Sequence, residues 1–323
     1  MKEKMSPANS RPELKTRQFE FTYKATLLEV PDSTNQLNVW IPYPTTDENQ
    51  EVHDIKVTAP VTGTVYTEPK YHNAIMYFPI RDSNAQEIDI ELSFKVNRSE
   101  NFRKDFPNVK QVAVEAIDPR LGMYLSPDKL VPIDDQVISW AHDVIKDKET
   151  DLEKAKAIYD HAATTLTYDK SGEGWGRGDL LYACDIKRGN CTDFHAVFIG
   201  LCRAVGIPAR FIIGIPLPAK RGEGEVRGYH CWAEFYLNGY GWIPVDVSEA
   251  SKRPEKRDYF FGANDENRVQ FSIGRDIVLR PRQQSDPLNY FIYPHAEADG
   301  KPVETIRCAF LYKDIEDYSV AHT

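Results

Sequence analysis

A short turn followed by a helical pattern constrains this chain more than any other feature. Gly189 and Asn190 precede Cys191, and after the cysteine apolar residues recur at the spacing of one helix face. These apolar residues are Phe194, Val197, Phe198, Leu201, Cys202 and Val205. Asn190 occupies the N-cap position, Asp193 lies in the first turn, and Gly206 follows the last apolar residue. The sequence therefore predicts a helix that begins at Cys191.

A cysteine at a helix start is chemically activated. Unpaired backbone N–H groups and the positive end of the helix dipole favour the thiolate over the thiol. Cysteine is also a common core residue, and Cys202 on the same helix is expected only to pack. Cys191 is thus a candidate nucleophile if a base and a residue that orients the base follow it.

Two predicted strands downstream carry a histidine and an aspartate. Residues 229–236 and 241–246 have strand composition, and the Asn-Gly pair between them favours a hairpin. In an activated-thiol triad, His230 would take the proton from the thiol, and Asp246 would fix the tautomer of the imidazole. The order cysteine, histidine, aspartate therefore predicts nucleophilic catalysis.

The register of this hairpin decides where Asp246 points. A loop of residues 237–239, with Gly239 in the left-handed conformation, would place His230 opposite Asp246 on one sheet face. A two-residue turn would turn Asp246 to the other face. The triad requires the first register. Pro244 has no N–H to donate to a partner strand, so we expect a bulge or a sheet edge there.

The rest of the chain predicts an α+β protein with two units. Residues 1–14 are polar and predict a loose tail, and residues 15–115 show period-two strands that favour a β-sandwich used as a support domain. Residues 116–323 form the predicted catalytic domain, with helical patterns at 133–146 and 152–166. Three later segments are predicted as strands that extend the catalytic sheet: residues 276–280, 289–293 and 305–312.

Composition narrows the function classes. A formal net charge of −9 argues against nucleic acid as a partner, since a basic face would be needed. No apolar run approaches the roughly 18 residues of a membrane span. The N-terminus lacks the apolar segment of a signal peptide, which predicts a cytoplasmic protein as written, although a processed exported protein would read the same.

The cysteines predict free thiols rather than a disulfide scaffold or a metal centre. The chain has 5 cysteines and no C-x-x-C pair. Cys191 and His195 stand four residues apart and could form half of a metal site, but no second ligand pair has zinc-like spacing. We therefore expect no metal and no cofactor.

Several sequence blocks occur together in an order that resembles the core of the transglutaminase-like superfamily. These blocks are Gly189-Asn190-Cys191-Thr192-Asp193-Phe194-His195, Gly206-Ile207-Pro208-Ala209-Arg210, Tyr229-His230-Cys231-Trp232-Ala233-Glu234 and Gly241-Trp242-Ile243-Pro244-Val245-Asp246. They are similar in particular to bacterial members described as cysteine peptidases. The resemblance spans roughly residues 150 to 250 and implies a papain-like core, in which a helix bearing the cysteine packs on an antiparallel sheet.

The resemblance also implies site roles and a substrate class. Cys191, His230 and Asp246 would be nucleophile, base and orienting residue, acting on a protein or peptide substrate through a thioester. Hydrolysis is favoured by the likeness to bacterial members. Protein cross-linking by the same triad, and a non-catalytic interaction protein that retains the fold, stay open as alternatives.

The remaining site candidates are an oxyanion hole and a second histidine. The backbone N–H of Cys191 is the natural first donor to an oxyanion. Relatives take a second donor from an upstream glutamine or tryptophan, and Trp175 is the nearest candidate here. His195 competes with His230 for the role of base, but its position one turn along the helix predicts a structural role, donating to a backbone carbonyl. We also expect Trp232 and Trp242 to pack around the histidine strand and to keep the imidazole dry.

Overall fold

The computed structural model describes residues 13–106 and 118–315. Most of the predicted tail, residues 1–14, and the predicted boundary between residues 115 and 116 therefore lie outside the described residues. Within them the fold is α+β, as predicted.

The strands in the first part of the chain follow the predicted period-two pattern, with buried and exposed side chains alternating along β1 and β6. They are β1 (Thr16–Leu27), β2 (Thr34–Pro42), β3 (Gln50–Thr58), β4 (Thr64–Thr67), β5 (Ala74–Ser83), β6 (Ile88–Ser99) and β7 (Asn101–Phe102).

The later elements alternate helices with short strands. The helices are α1 (Asp135–Val144), α2 (Asp151–Thr165), α3 (Leu180–Ile186), α4 (Cys191–Ala204) and α5 (Val247–Lys252), with 3₁₀ turns at Pro119–Tyr124 and Pro254–Lys256. The strands are β8 (Thr167–Tyr168), β9 (Arg188–Gly189), β10 (Ala209–Pro216), β11 (Glu223–Val226), β12 (His230–Leu237), β13 (Gly241–Val245), β14 (Ala263–Asn264), β15 (Arg268–Ile273), β16 (His295–Ala298), β17 (Lys301–Pro302) and β18 (Ile306–Asp314). The helical patterns at 133–146 and 152–166 thus correspond to α1 and α2.

Two five-stranded antiparallel sheets contain all the long N-terminal strands. Their orders are β11-β18-β1-β6-β3 and β17-β16-β2-β5-β4. The buried faces of both contribute to one hydrophobic cluster, which includes Phe21 and Phe94 from the first sheet and Val39 and Phe78 from the second. The same cluster also includes residues of the later elements, such as Phe198 and Phe235, so one apolar core runs through these parts of the fold.

Strands from the C-terminal part of the chain complete both of these sheets. β18 pairs with β1 along its whole length, from Phe19 opposite Asp314 to Leu27 opposite Ile306, and β16 pairs with β2. The prediction that residues 305–312 extend the catalytic sheet is therefore wrong. Residues 276–280 and 289–293 are not strands, apart from an isolated bridge between Ile277 and Leu288. An alternating pattern identifies a strand but does not specify its partner, because pairing is decided by distant residues.

A separate four-stranded antiparallel sheet, in the order β13-β12-β10-β15, carries α4 against one face. α4 packs on β10 and β12, and α1, α2, α3 and α5 surround it. Across this interface the rings of Phe198 and Phe235 lie 6.2 Å apart. Nearly every residue of α4 is buried, because the sheet and the four helices pack around it.

The helices are short relative to a bilayer. Within residues 13–106 and 118–315, none combines the length and the apolar composition that crossing a membrane requires.

Candidate active site

Cys191 is the first residue of α4 and is 2% exposed. Asn190 caps the helix, since its Oδ1 accepts a hydrogen bond of 2.9 Å from the N–H of Thr192. In return the N–H of Asn190 donates to Asp193 Oδ2 at 2.9 Å. These contacts fix the cysteine at the helix start, where its own N–H has no partner within the helix.

Asp193 does more than the sequence suggested. Its buried carboxylate also accepts the N–H groups of Gly176 at 2.7 Å and Gly178 at 2.9 Å. Both glycines have positive φ, which lets their N–H groups turn toward the carboxylate. Asp193 therefore ties the glycine-rich loop of residues 171–178 to the start of α4. In the sequence, this link could have been inferred from the acidic residue in the first helical turn that follows a glycine-rich loop.

His230 and Asp246 lie in direct contact. His230 Nε2 is 2.7 Å from Asp246 Oδ2, and the two residues are 7% and 0% exposed. The structure thus brings together the histidine and the aspartate that the sequence singled out. In a buried pair at this distance the carboxylate can orient the imidazole and stabilise its cation.

The hairpin reaches this contact by a register that differs from the prediction. Leu237 pairs with Gly241, so the loop is residues 238–240, shifted by one residue from the predicted 237–239. Gly239 has φ 76°, as expected, but Gly241 also has positive φ, at 103°, and the strand resumes only there. Asp246 consequently lies beyond the end of β13, where it is the N-cap of α5.

The partners of His230 and Pro244 follow from this register. His230 pairs with Gly214 on β10 rather than with Asp246. Pro244 lies opposite Glu234 on β13, which is the edge strand of the sheet. The expectation of a sheet edge at the proline is therefore confirmed. In a central strand, the missing N–H of a proline would interrupt the hydrogen bonds between strands.

Asp246 is held by several groups besides His230. Its Oδ2 accepts from Arg268 Nη1 at 3.3 Å, and its Oδ1 accepts from the Ser248 hydroxyl at 3.2 Å and the Glu249 N–H at 3.1 Å. Burial opposes ionisation, but the charges of His230 and Arg268 outweigh it and hold the pKa of Asp246 well below its usual range. The carboxylate is therefore ionised.

Sequence reasoning missed Arg268, which lies on β15, a strand not adjacent to β12. Its guanidinium is 3% exposed, contacts Asp265 Oδ1 at 3.3 Å, and lies 4.9 Å from the ring centroid of Trp232. A buried cation with two carboxylate partners and an aromatic face is held rigidly. Nothing local in the sequence connects Arg268 to Asp246, 22 residues earlier.

The thiol and the imidazole polarise each other. A hydrogen bond from Cys231 and the interaction with His230 lower the pKa of Cys191 well below that of an ordinary thiol, although burial opposes this. Burial also opposes the charging of His230, yet the charges of Asp246 and Cys191 raise its pKa to about 10. Each group therefore favours the charged form of the other, a thiolate at Cys191 and an imidazolium at His230.

His195 has the structural role that its position predicted. Its Nδ1 lies 2.7 Å from the carbonyl oxygen of Cys191, and its Nε2 accepts the N–H of Val247 at 3.1 Å. This pattern requires the neutral tautomer with the proton on Nδ1, and burial lowers the pKa of His195 accordingly. His195 thereby joins the first turn of α4 to the first turn of α5.

Trp175 lies in the glycine-rich loop, and its indole N–H donates to the carbonyl of Gly172 at 3.1 Å. In this conformation the N–H is engaged within the loop. Its role as an oxyanion donor stays a prediction, and serving an oxyanion would require the indole to leave Gly172.

Trp232 and Trp242, the two tryptophans expected near the histidine strand, differ in their contacts. Trp232 packs beside His230, with 6.4 Å between ring centroids, as predicted. Trp242 packs on the histidine strand through Tyr236, and its ring also contacts Tyr124 and lies 4.1 Å from the guanidinium of Arg210. Because Trp242 pairs with Tyr236 at the far end of β12 from His230, its ring does not shield the imidazole.

Arg210 pairs with Glu234, with Nε and Oε2 2.7 Å apart. Among the described residues, no three or more histidine, cysteine, aspartate or glutamate side chains are arranged to hold a metal ion. The chemistry that these groups can support is nucleophilic, through a thiolate, a histidine and an ionised aspartate.

Comparison with known proteins gives the family. The model of the transglutaminase-like superfamily matches residues 138–247. A protein of Haemophilus influenzae, described as "Uncharacterized protein", is 31% identical over 327 residues, covering 89% of this chain and 87% of that protein.

One solved structure shares the fold over most of its length. A "putative cysteine protease" from Cytophaga hutchinsonii has a TM-score of 0.64 at 15% identity, covering 94% of this chain and 92% of the other. The periplasmic domain of TgpA from Pseudomonas aeruginosa has a TM-score of 0.39 at 15% identity, covering 76% of this chain and 91% of that domain. The matched region contains α4, His230 on β12 and Asp246 at the N-cap of α5, and this chain belongs to the transglutaminase-like superfamily.

Proposed function

We propose that this protein is a cysteine-dependent hydrolase of amide or peptide bonds, with Cys191 as nucleophile, His230 as general acid and base, and Asp246 as the residue that orients His230. The observation that carries the proposal is the buried 2.7 Å contact between His230 and Asp246 beside a cysteine at a helix start. A histidine charged by a buried carboxylate next to a cysteine of lowered pKa is the arrangement by which catalytic sites prepare a nucleophile and its base.

In the first step the Cys191 thiolate attacks the carbonyl carbon of the scissile amide. The negative charge moves to the carbonyl oxygen, which the backbone N–H of Cys191 is positioned to stabilise. When the tetrahedral intermediate collapses, the imidazolium of His230 gives its proton to the departing amine. The acyl group remains on Cys191 as a thioester.

In the second step water resolves the thioester. Neutral His230 now takes a proton from the water, and the hydroxide attacks the acyl carbon. Asp246 stabilises the imidazolium that forms again, and Cys191 leaves as a thiolate. Transfer to an amine instead of water would cross-link proteins. The description of the Cytophaga hutchinsonii structure as a putative cysteine protease supports hydrolysis.

The pH dependence of iodoacetamide labelling tests the nucleophile, with modified residues located by mass spectrometry. We expect Cys191 to react well below the free-thiol pKa of about 8.5, and to lose this reactivity in His230→Ala. Cys184 in the same digest is the control, because burial raises its pKa to about 11. Labelling of Cys191 that ignores His230 would refute the triad and favour a non-catalytic protein.

Substrate assays separate the two reactions. Casein digestion would be measured alongside incorporation of a fluorescent primary amine into casein. We expect peptide release that disappears in Cys191→Ala, without amine incorporation. Amine incorporation that exceeds cleavage would instead identify a transglutaminase.

A further inference from the structure

A second thiol lies against the start of α4. Cys231 follows His230 on β12 and is 0% exposed. Its Sγ is 3.6 Å from His195 Nδ1 and 4.0 Å from Thr192 Oγ1. Since His195 Nδ1 is itself 2.7 Å from the carbonyl oxygen of Cys191, the Cys231 thiol is next to the first turn of the helix.

The two thiols differ in their chemical state. The neighbouring Cys231 and His230 favour the thiolate at Cys191 and lower its pKa, although burial opposes this. Burial and the neighbouring thiolate raise the pKa of Cys231, so Cys231 stays protonated. The proposed hydrolysis makes no use of the Cys231 sulfur. The site therefore holds a reactive thiolate beside a second, protected thiol.

We propose that Cys191 and Cys231 form an oxidative modification site, in which a hydroperoxide oxidises Cys191 and Cys231 then closes a reversible disulfide with it. This inference rests on the proposed nucleophilic role of Cys191. It assigns Cys231 the role of resolving thiol, and the substrate of the modification is a small hydroperoxide that can reach the 2% exposed Cys191.

The chemistry balances in two steps. The Cys191 thiolate attacks the terminal oxygen of the hydroperoxide, which breaks the O–O bond, leaves a sulfenic acid on Cys191 and releases an alkoxide that takes a proton to become an alcohol. The Cys231 sulfur then attacks the Cys191 sulfur. The S–O bond breaks, and the hydroxyl leaves as water with the Cys231 proton. Two electrons pass from the two sulfurs to the hydroperoxide.

The fold favours this pairing over any other. α4 packs directly on β12, so the bond would join two elements already in contact. Of the other cysteines, Cys202 is buried further along the same helix and has a raised pKa, while Cys184 and Cys308 are half-buried with raised pKa values. Cys231, in contrast, has its Sγ atom against the side chains of Thr192 and His195 in the first turns of α4. The disulfide would occupy the nucleophile and so stop the proposed reaction.

The test is to treat the whole protein with hydrogen peroxide, denature it, alkylate the remaining thiols with iodoacetamide and measure the intact mass. Of the 5 free cysteines, we expect three to be alkylated after oxidation instead of five, with a non-reduced peptide that joins Cys191 to Cys231. Dithiothreitol should restore all five alkylations, as expected of a disulfide.

Matched variants separate a resolving thiol from a bystander. In Cys231→Ser we expect Cys191 to gain about 32 or 48 Da, as a sulfinic or sulfonic acid that dithiothreitol does not reduce. Cys202→Ala, which removes a buried thiol from the same helix, should still form the disulfide. Cys231→Ala repeats the test if the serine variant fails to fold.

Wild-type protein that accumulates sulfinic acid on Cys191, or that pairs Cys191 with another cysteine, would overturn the proposal. The readout does not depend on turnover, so the two proposals fail separately. Rapid alkylation of Cys191 without a disulfide would leave the proposed function standing and remove the resolving thiol. If Cys191 reacts with neither hydrogen peroxide nor iodoacetamide, both the proposed function and the proposed modification site are refuted.

Discussion

At the scale of single residues, the site depends on charges that hold one another in place. Asp246 is ionised because His230 and Arg268 offset the penalty of its burial, and His230 is charged because Asp246 and Cys191 do the same for it. Such a network has a cost in desolvation, and it is stable only while every member has its partner.

Arg268→Met tests this dependence. The substitution leaves Asp246 and Asp265 without their shared cation, and removing one member of a buried ion pair costs about 3 kcal/mol of the free energy of unfolding. It also raises the pKa of Asp246, so the orientation of His230 weakens. We expect the rate of Cys191 alkylation at neutral pH to fall about tenfold, measured beside urea unfolding.

Arg268→Lys is the control for that experiment, because it keeps the charge and loses the planar fork. It should recover part of the reactivity. Equal alkylation rates in the wild type and in Arg268→Met would contradict a positioning role for Arg268, whatever the loss of stability.

The thiolate–imidazolium pair also predicts how stability depends on pH. His230, whose pKa rises from 6.5 to about 10, contributes stability that is complete below pH 6.5 and declines as pH rises through 10. Cys191, whose pKa falls from 9.0, contributes stability that is complete above pH 9.0 and declines as pH falls. Between these two pH values the slopes have opposite signs and cancel.

We therefore expect the difference in free energy of unfolding between wild type and His230→Ala to be flat across neutral pH and to shrink below about 6.5 and above about 9. Urea unfolding at acidic, neutral and alkaline pH measures it. A difference that changes monotonically across the neutral range would mean that the two groups are not a charged pair.

At the scale of elements, the helix start and the glycine-rich loop behave as one structural unit. Asp193 accepts three backbone N–H groups, from Asn190 on the helix side and from Gly176 and Gly178 on the loop side. His195 links the same turn of α4 to α5. The position of Cys191 is thus set by contacts from several segments, in addition to the helix itself.

Asp193→Asn should loosen this unit, because an amide provides one acceptor oxygen where the carboxylate provides two. We expect a loss of about 2 kcal/mol, within the range for unsatisfied buried polar groups. Faster hydrogen exchange should be confined to the loop of residues 171–178 and the first turn of α4. Mass spectrometry of exchanged peptides measures this.

Asp179→Asn is the matched control, since Asp179 caps α3 with a single hydrogen bond to the N–H of Tyr182. Its effect on exchange in the loop should be small. If both variants changed exchange in residues 171–178 equally, the specific link through Asp193 would be disproved.

At the scale of the whole molecule, a strand near the C-terminus pairs with the first strand of the chain. β18 forms the neighbour of β1 in the first sheet, and the buried Arg17 forms a bidentate pair with Asp314 at its end, at 2.7 and 2.9 Å. The predicted division at residue 115 remains a hypothesis about domains, but the two N-terminal sheets do not consist of residues 15–115 alone.

Removing residues 305–323 should therefore disrupt the N-terminal sheets rather than the region around Cys191 alone. The truncation uncovers β1, whose Phe21 and Tyr23 pack on Phe310. We expect urea unfolding, measured by tryptophan fluorescence and circular dichroism, to lose its cooperativity. Removal of residues 316–323 only is the control. If the truncated chain unfolds as cooperatively as the full chain, the N-terminal sheets do not depend on β18 and the prediction is wrong.

The sequence by itself determined the local features of this protein. Helix α4 and its start at Cys191, the alternating strands β1 and β6, and the structural role of His195 all follow from spacing and capping within a few residues. The candidate cysteine, histidine and aspartate were also identifiable, because their residue types and the surrounding blocks match a known family.

Only the tertiary structure decided how these pieces meet. The hairpin register shifted because Gly241 as well as Gly239 adopts positive φ, and Asp246 reaches His230 from a helix N-cap rather than from the opposite strand. Arg268, Cys231 and the pairing of β18 with β1 depend on contacts between residues far apart in the chain. Local patterns carry no information on such contacts, because burial and partner choice arise only when the whole chain packs.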